Sequence, residues 1–537
     1  MEKQESFQFS IPQMRDFVPS RLRPWIMILF VLVFQFSGGV YLASLADMVG
    51  STQLLREDVQ MAGTASMIGM ALYFCIMFRM KMAVKSKPTF VISGGTIIVC
   101  NLICAHTVCV PLLVFCCFIA GFCRIWGTFE CNSTIQLWLT PKRDMSIFFT
   151  YIYLIVNSAI NLSGIMSVYV AFWSTWAYMH YLIVAAMAVM LLLVYIMYND
   201  KRVMPPLPLY GIDWLGMLMW GVIAMCVAFV CIYGEHYDWW HSWQIRFATV
   251  LGIVTFIVNR RRSMFIRHSF IFHDLFTRFP IVLKLIVLII IADTLLAPQR
   301  IIEHAYMEAI LGYDSLNTIS LNWIGFAGSV IGCATMWVIF GRWKWSYHRM
   351  AVIAFVCFTV YLAYFYFSID YNLSKEALYF PVFIRSFGYV VLGIAVLTAN
   401  TRLPFPFYFT QAVCMQNMFS AALANAIGSA IVGRMLTVFR LRNFMEISES
   451  MDSVSAFTSP DNIASLYGAV QIHALLESMK EVYGVLLVIS VLMVLMLAIR
   501  KSNLRPTKEI HPLFTTIRSA LSFDMLKKMR AERFGSR

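Results

Sequence analysis

Ionisable side chains stand inside long apolar runs of this chain: Arg124, Glu130, Asp293, Arg300 and Arg385. Such groups are costly in apolar surroundings and are usually retained where they face a cavity or a partner. Glu130 lies among Asn132, Ser133, Thr134 and Gln136, the most polar stretch in any of the runs, and it is the only acid deep in the first half. A carboxyl desolvated there is suited to taking up and releasing a proton. It could equally be a permanently paired acid that joins two helices. Asp293 is the second proton-site candidate. Arg300 follows it on the same helical face about 10 Å along the axis, a spacing that predicts no direct pair and leaves Arg300 near an outer interface. Arg124 and Arg385 complete the set of candidate charge partners, since a buried cation can govern a nearby carboxyl and release its proton when a helix moves.

Polar side chains at helical spacing suggest a central passage: Asn157 and Asn161 in one run, and Gln411, Met415, Met418, Asn425 and Ser429 in another. Between helices, such groups also simply bond across an interface. The 34 methionines and 15% aromatic content suit a pliable apolar pocket, and they suit bundle filling as well. No phosphate-cradling Gly-rich loop with Lys-Ser/Thr is present, which argues against an ATP-driven pump. Clustered metal ligands and a serine-nucleophile elbow are also missing, so no metal, no cofactor and no enzyme activity is expected. The 13 cysteines fall singly inside apolar runs and read as small hydrophobes.

The elements that must position these residues follow from composition. Of 537 residues, 60% are hydrophobic and 13% charged, which a water-soluble surface does not permit. Continuous apolar runs recur from Trp25 to Ile499, and a span needs roughly 20 such residues. Backbone amides in lipid must be satisfied internally. The runs lack the short alternation of an outer-membrane barrel, so the fold class is all-α and polytopic, with about fourteen transmembrane helices. The segment before Trp25 has no cleavage pattern, so the span from Trp25 onward reads as a retained signal anchor.

The net charge of +14 is a topology signal. Alternate short loops carry Arg79, Lys81, Lys85 and Lys87; Lys142 and Arg143; Lys201 and Arg202; Arg260 to Arg262, Arg267 and Arg278; and Arg342, Lys344 and Arg349. The positive-inside rule then makes both termini cytoplasmic. The spans divide into six, two and six. A cytoplasmic tail (1–24) leads into a first bundle (25–198), then a linker with an inserted two-helix hairpin (199–262), then a second bundle (263–500). The second bundle contains a long external loop (433–481), in which Pro460 starts an amphipathic helix. A basic tail (501–537) closes the chain.

The inserted hairpin carries Asp213 with Gly216, then Gly234 with Asp238 and Trp239. This Asp-x-x-Gly entry and Gly-x-x-x-Asp-Trp turn resemble the fourteen-helix drug:proton antiporters of the EmrB/QacA type, a branch of the major facilitator superfamily. Ser174 to Met179, Pro141 to Arg143, and Gly341 with Arg342 and Arg349 are similar to further loops of that family. The resemblance implies a 6+2+6 major facilitator fold, proton-coupled efflux of small amphiphilic molecules from a bacterial inner membrane, and docking to a periplasmic adaptor and an outer-membrane channel. Asp213 can cap the first inserted helix and Gly234 can end it.

The departures concern mechanism. The gating signature expected after the second helix is replaced by Phe78 to Lys81 and Lys85 to Pro88, with no aspartate, so the usual charge clasp is missing. The fifth helix offers Ser163-Gly164-Ile165-Met166-Ser167 without proline, and Phe36 and Ser37 stand where the first-helix acid is expected. Two other readings therefore stay open: a transport-inactive scaffold or sensor that retains the fold, and an integral-membrane lipid enzyme, for which no convincing catalytic cluster is seen.

Overall fold

The computed structural model describes residues 13–37, 48–49, 54–141, 144–200, 209–266, 268–314, 316–404, 407–449 and 460–499. The terminal tails, Lys142 and Arg143, most of the linker after Asp200, and Arg267 lie outside the described residues.

The first half contains α1 (Arg23–Phe36), α2 (Arg56–Ala83), α3 (Ser86–His106), α4 (Val110–Leu139), α5 (Met145–Trp173) and α6 (Ala177–Met197). The inserted pair is α7 (Trp214–Tyr233) and α8 (Trp243–Phe265). The second half follows as α9 (Pro280–Ile310), α10 (Ile319–Trp343), α11 (Tyr347–Ser368), α12 (Tyr379–Ala399), α13 (Phe407–Glu449) and α14 (Pro460–Ile499).

Among the described residues, 12 helices are long and apolar enough to cross a membrane. This corrects the expected fourteen. The two that fall short are α1, whose 14 described residues span about 21 Å against a hydrocarbon thickness of about 30 Å, and α8, whose apolar stretch is bracketed by Arg246 and Arg260. Both still pack in the bundle. α1 lies against α4 and α5, and α8 lies against α7.

Successive helices alternate in direction, so Arg79, Lys81, Lys85 and Lys87 share one end of the molecule, here called the basic end, with Arg260 to Arg262 and Arg342. One core of α1, α3, α4 and α6 holds the first half together, and another of α9 to α12 with α14 holds the second. A third cluster joins the halves, drawing Met77 and Trp126 from the first, Ala224 and Ala228 from α7, and Met415 and Met418 from the second. The closest packing is between α2 and α4. A Cβ on Gly69 would strike the Phe118 carbonyl, and one on Gly121 would strike that of Ser66, so only glycine lets these backbones meet.

Helix breaks fall where the sequence places proline or a wide turn. α9 bends at Ala297 before Pro298, because proline cannot donate the backbone hydrogen bond that a continuous helix needs. α13 passes through a π turn at Met418–Leu423 and then runs on to Glu449. The stretch expected as a long external loop is therefore largely helical. No Gly or Pro interrupts residues 434–449, and the 43-residue α13 is about twice as long as the hydrocarbon core is thick. Beyond the bundle it is paired with α14 through Asn443 to Ser478 and through the Phe444 and Tyr467 rings.

Asp213 fixes the inserted pair. Its carboxylate accepts from Gly216 N at 2.9 Å, capping α7, from both terminal nitrogens of Arg262 at 2.7 and 3.0 Å, and from Phe270 N at 3.0 Å. Burial opposes ionisation of Asp213, but the Arg262 guanidinium and the two backbone N–H groups outweigh it and hold the carboxyl below the usual range. A folded-state value below the unfolded value of about 3.9 gives stability that is complete above that pH and lost as pH falls through the folded value. Asp213→Asn is thus expected to melt below wild type at neutral pH, by an amount set by the lost charge on Arg262. The two melting curves, followed across pH in detergent, should converge only under strong acid. A gap that widens on acidification would contradict this assignment.

Candidate functional site

Asp293 lies near mid-length of α9 and is 3% exposed. Its Oδ1 stands 3.5 Å from Arg300 Nη2, which overturns the expectation that the two cannot meet. The helix break at Pro298 and the length of the arginine side chain bring the guanidinium back towards the acid. The contact lacks hydrogen-bond geometry, for Asp293 Oδ1 and Arg300 Nη1 have no hydrogen-bond partner among the described residues. The pair is loose, and Arg300 keeps 32% side-chain exposure. The phenols of Tyr153 on α5 and Tyr389 on α12 lie within electrostatic range of Asp293.

Tyr153 comes from the first half, and its hydroxyl abuts Gly393 of α12 in the second, so the acid sits where the two halves touch. Asn157 and Asn161 follow Tyr153 at intervals of one turn and continue the same face of α5, both half-buried; Asn161 Nδ2 donates to the Asn157 carbonyl. From α13, Gly428 packs on the backbone of Asp293 and Thr294, one turn from half-buried Asn425. Contacts between the halves occur towards both ends. Phe149 meets Phe409 on the basic side, and Arg56 Nη2 donates to the Arg300 carbonyl at 3.3 Å on the other.

Glu130 has a different setting. Its Oε1 accepts from Ser86 Oγ at 2.6 Å and lies 3.6 Å from Lys81 Nζ. Lys81 also donates to Ser133 Oγ at 2.5 Å and Thr134 Oγ1 at 3.3 Å. Lys81 is two residues from the end of α2, so Glu130 belongs to the basic end and not to the middle. The sequence reading placed Lys81 among loop charges and found no clasp there. In space, Lys81, Glu130 and Ser86 form one between α2, α3 and α4.

Arg385 pairs with an acid that sequence reasoning missed, Glu303. Arg385 Nη1 donates to both carboxylate oxygens at 2.5 and 2.6 Å, and Tyr361 Oη donates to Oε1 at 2.6 Å. The cluster is inside the second half, among α9, α11 and α12. Glu303 lies just beyond the apolar run that ends at Ile302, so its burial becomes evident only once the helix is seen to continue past Pro298 to Ile310.

Arg124 is 1% exposed and near mid-length of α4. Its role as a charge partner finds no acid: no carboxylate among the described residues forms an ion pair with it, and Nη2 reaches only the sulfurs of Met67 and Met70, at 3.6 and 3.3 Å. Its Nε and Nη1 have no hydrogen-bond partner among the described residues. One turn on, Thr128 donates to the Arg124 carbonyl and accepts from Gln35 Nε2 of α1 at 2.8 Å.

The remaining cavity candidates are mostly held by the protein itself. Gln411 accepts from Phe272 N at 3.0 Å, Gln136 reaches the Met145 sulfur at 3.2 Å, and Met415 and Met418 are buried in the shared cluster. Asn132 is buried with Oδ1 unpaired. In the hairpin turn, Asp238 and Trp239 adopt positive φ, Gly234 stands at the end of α7, and Trp239 Nε1 donates to Glu235 at 2.9 Å. Tyr233 Oη donates to Asp58 of α2 at 2.5 Å, and Arg434 of α13 reaches Glu235 at 3.3 Å, so the hairpin touches both halves.

No family model matches the chain, and no curated protein does. Solved structures do. A crystal structure of the peptide transporter POT in complex with sulfate is 14% identical, with a TM-score of 0.56, covering 91% of this chain and 97% of that one. A proton-dependent oligopeptide transporter structure is 12% identical, with a TM-score of 0.55 and coverage of 88% and 97%. A bacterial homolog to the human lysosomal transporter Spinster, inward-facing and unoccupied, is 12% identical at a TM-score of 0.50, covering 90% and 98%. The chain shares the fold of these structures. Within that fold, the loose Asp293–Arg300 pair lies between the two halves, whereas the tight Glu303–Arg385 pair lies wholly inside one of them.

Proposed function

We propose that the chain is a secondary active transporter that exports a small amphiphilic molecule across a bacterial inner membrane by alternating access, with inward proton flow biasing the two states. The observation that carries this reading is the position of Asp293, a nearly buried carboxylate at mid-span, loosely paired across a helix break and within electrostatic range of tyrosines from both halves. Protonation removes its charge, releases Arg300 and alters a contact that both halves share. Glu130, engaged by Lys81 and Ser86, serves as a clasp at the basic end and not as the carrier. The Asp213-clamped pair supports a relation to the drug:proton antiporters that carry an inserted hairpin, with both termini cytoplasmic. On that reading the projecting α13–α14 pair is the surface that a periplasmic adaptor leading to an outer-membrane channel would meet. The test is uptake of fluorescent amphiphiles by proteoliposomes under a pH gradient, with and without an uncoupler. Accumulation that follows the gradient supports the proposal; a transport-inactive scaffold would show none.

A further inference from the structure

A guanidinium buried without a counter-charge is expensive, because water is lost and nothing replaces it. Arg124 is in that position. The nearest acid along its own helix, Glu130, lies about 9 Å further along the axis and is taken by Lys81 and Ser86. Asp58 is occupied by Tyr233 and by Leu55 N. What faces the guanidinium is two thioethers, weak acceptors on flexible side chains. Either fork of an arginine, Nη2 with Nε or Nη2 with Nη1, can grip two oxygens of one anion. Here Nε and Nη1 are both unengaged, and Nη2 is held only by sulfur.

Met67 and Met70 also pack against the cluster shared by the two halves. Separating the halves removes the far wall of this methionine screen, so the state that opens the interface would also open a way to Arg124. Met67, Met70 and the cluster they pack against are apolar, and Gln35 Oε1 is unpaired beside Thr128. The surroundings suit an apolar body, and the arginine suits one negative head.

We infer that Arg124 is the recognition group for the anionic head of an amphiphilic organic anion, a carboxylate or phosphonate, bound on the first half where Met67 and Met70 now cover Arg124 against the cluster shared by the halves, with those two side chains moved aside. This rests on the transporter reading and names the substrate class within it. An unfilled anion site also makes a claim about stability: taking the charge away relieves an uncompensated cost, so the empty protein should become more stable as recognition is lost.

The test is equilibrium binding to the full chain in lipid nanodiscs, read by titration calorimetry and by thermal melting. The probes are benzoate, phenylphosphonate, neutral benzamide and benzyltrimethylammonium. Benzoate and phenylphosphonate are expected to bind saturably and the other two not. Arg124→Gln is expected to weaken both anions by about tenfold or more while raising the melting temperature of the empty protein, and Arg124→Lys to retain part of the affinity. Equal binding of benzamide or the cation, unchanged anion binding in Arg124→Gln, no saturable anion binding at millimolar concentration, or a lower melting temperature in Arg124→Gln would each overturn the inference. Binding needs no gradient, so anion recognition without uptake would sink the transporter reading and leave this site standing.

Discussion

Arg385→Leu is expected to destabilise the folded protein by about 3–5 kcal/mol, because it strands the Glu303 carboxylate in a dry site. The side chains of Arg385 and Glu303 are only 7% and 8% exposed, and Tyr361 closes the remaining approach with a hydrogen bond to the acid and its ring beneath the guanidinium, 5.4 Å away. Water therefore cannot replace the lost partner. Glu303→Leu should cost a similar amount for the converse reason. Replacing both with leucine should recover most of the loss, since a buried ion pair gains little over well-packed apolar groups once desolvation of both charges is counted. Thermal unfolding of the two single variants and the double variant in one detergent checks this. If the double variant loses the sum of the single losses, the pair is not the coupled static unit described above.

Asp293→Asn is expected to behave in the opposite way, with transport reduced tenfold or more and stability nearly unchanged. The contrast follows from exposure and geometry. Arg300 retains 32% side-chain exposure, so losing Asp293 does not strand a charge out of reach of water. The pair is 3.5 Å apart without hydrogen-bond geometry, so little bonding energy is lost with it. What the variant does lose is a group able to change charge at the junction of the halves. Initial uptake rates under a pH gradient, measured beside melting curves of the same preparations, separate the two effects. An Asp293→Asn protein that transports normally, or that loses both activity and stability in proportion, would contradict the role given to Asp293.

The sequence shows the helical membrane class plainly, because unbroken apolar runs admit no other economy of backbone hydrogen bonds. Relations at short range are legible too: Asp213 and Gly216 are three residues apart, within one turn of a cap. Pairings across helices are not. Glu303 and Arg385 are 82 residues apart, and nothing local links them. The direct contact of Asp293 with Arg300 escapes a rule that treats α9 as straight, since Pro298 changes the path between them. Lys81 reads as a loop charge by its neighbours, yet the last turn of α2 carries it against α4. Arg124 is the instructive case: its burial is readable from the surrounding residues, but the lack of an acid beside it becomes visible only when every neighbouring helix is in place.

The most direct measurement of the central claim is substrate-triggered proton movement in proteoliposomes loaded with a pH-sensitive dye, comparing wild type with Asp293→Asn. If Asp293 couples a proton to the rocking of the two halves, adding a transported amphiphile to wild type should move protons across the membrane, and the same addition to Asp293→Asn should move none. Equal proton movement in both proteins, or none in wild type while the amphiphile still crosses, would contradict the account.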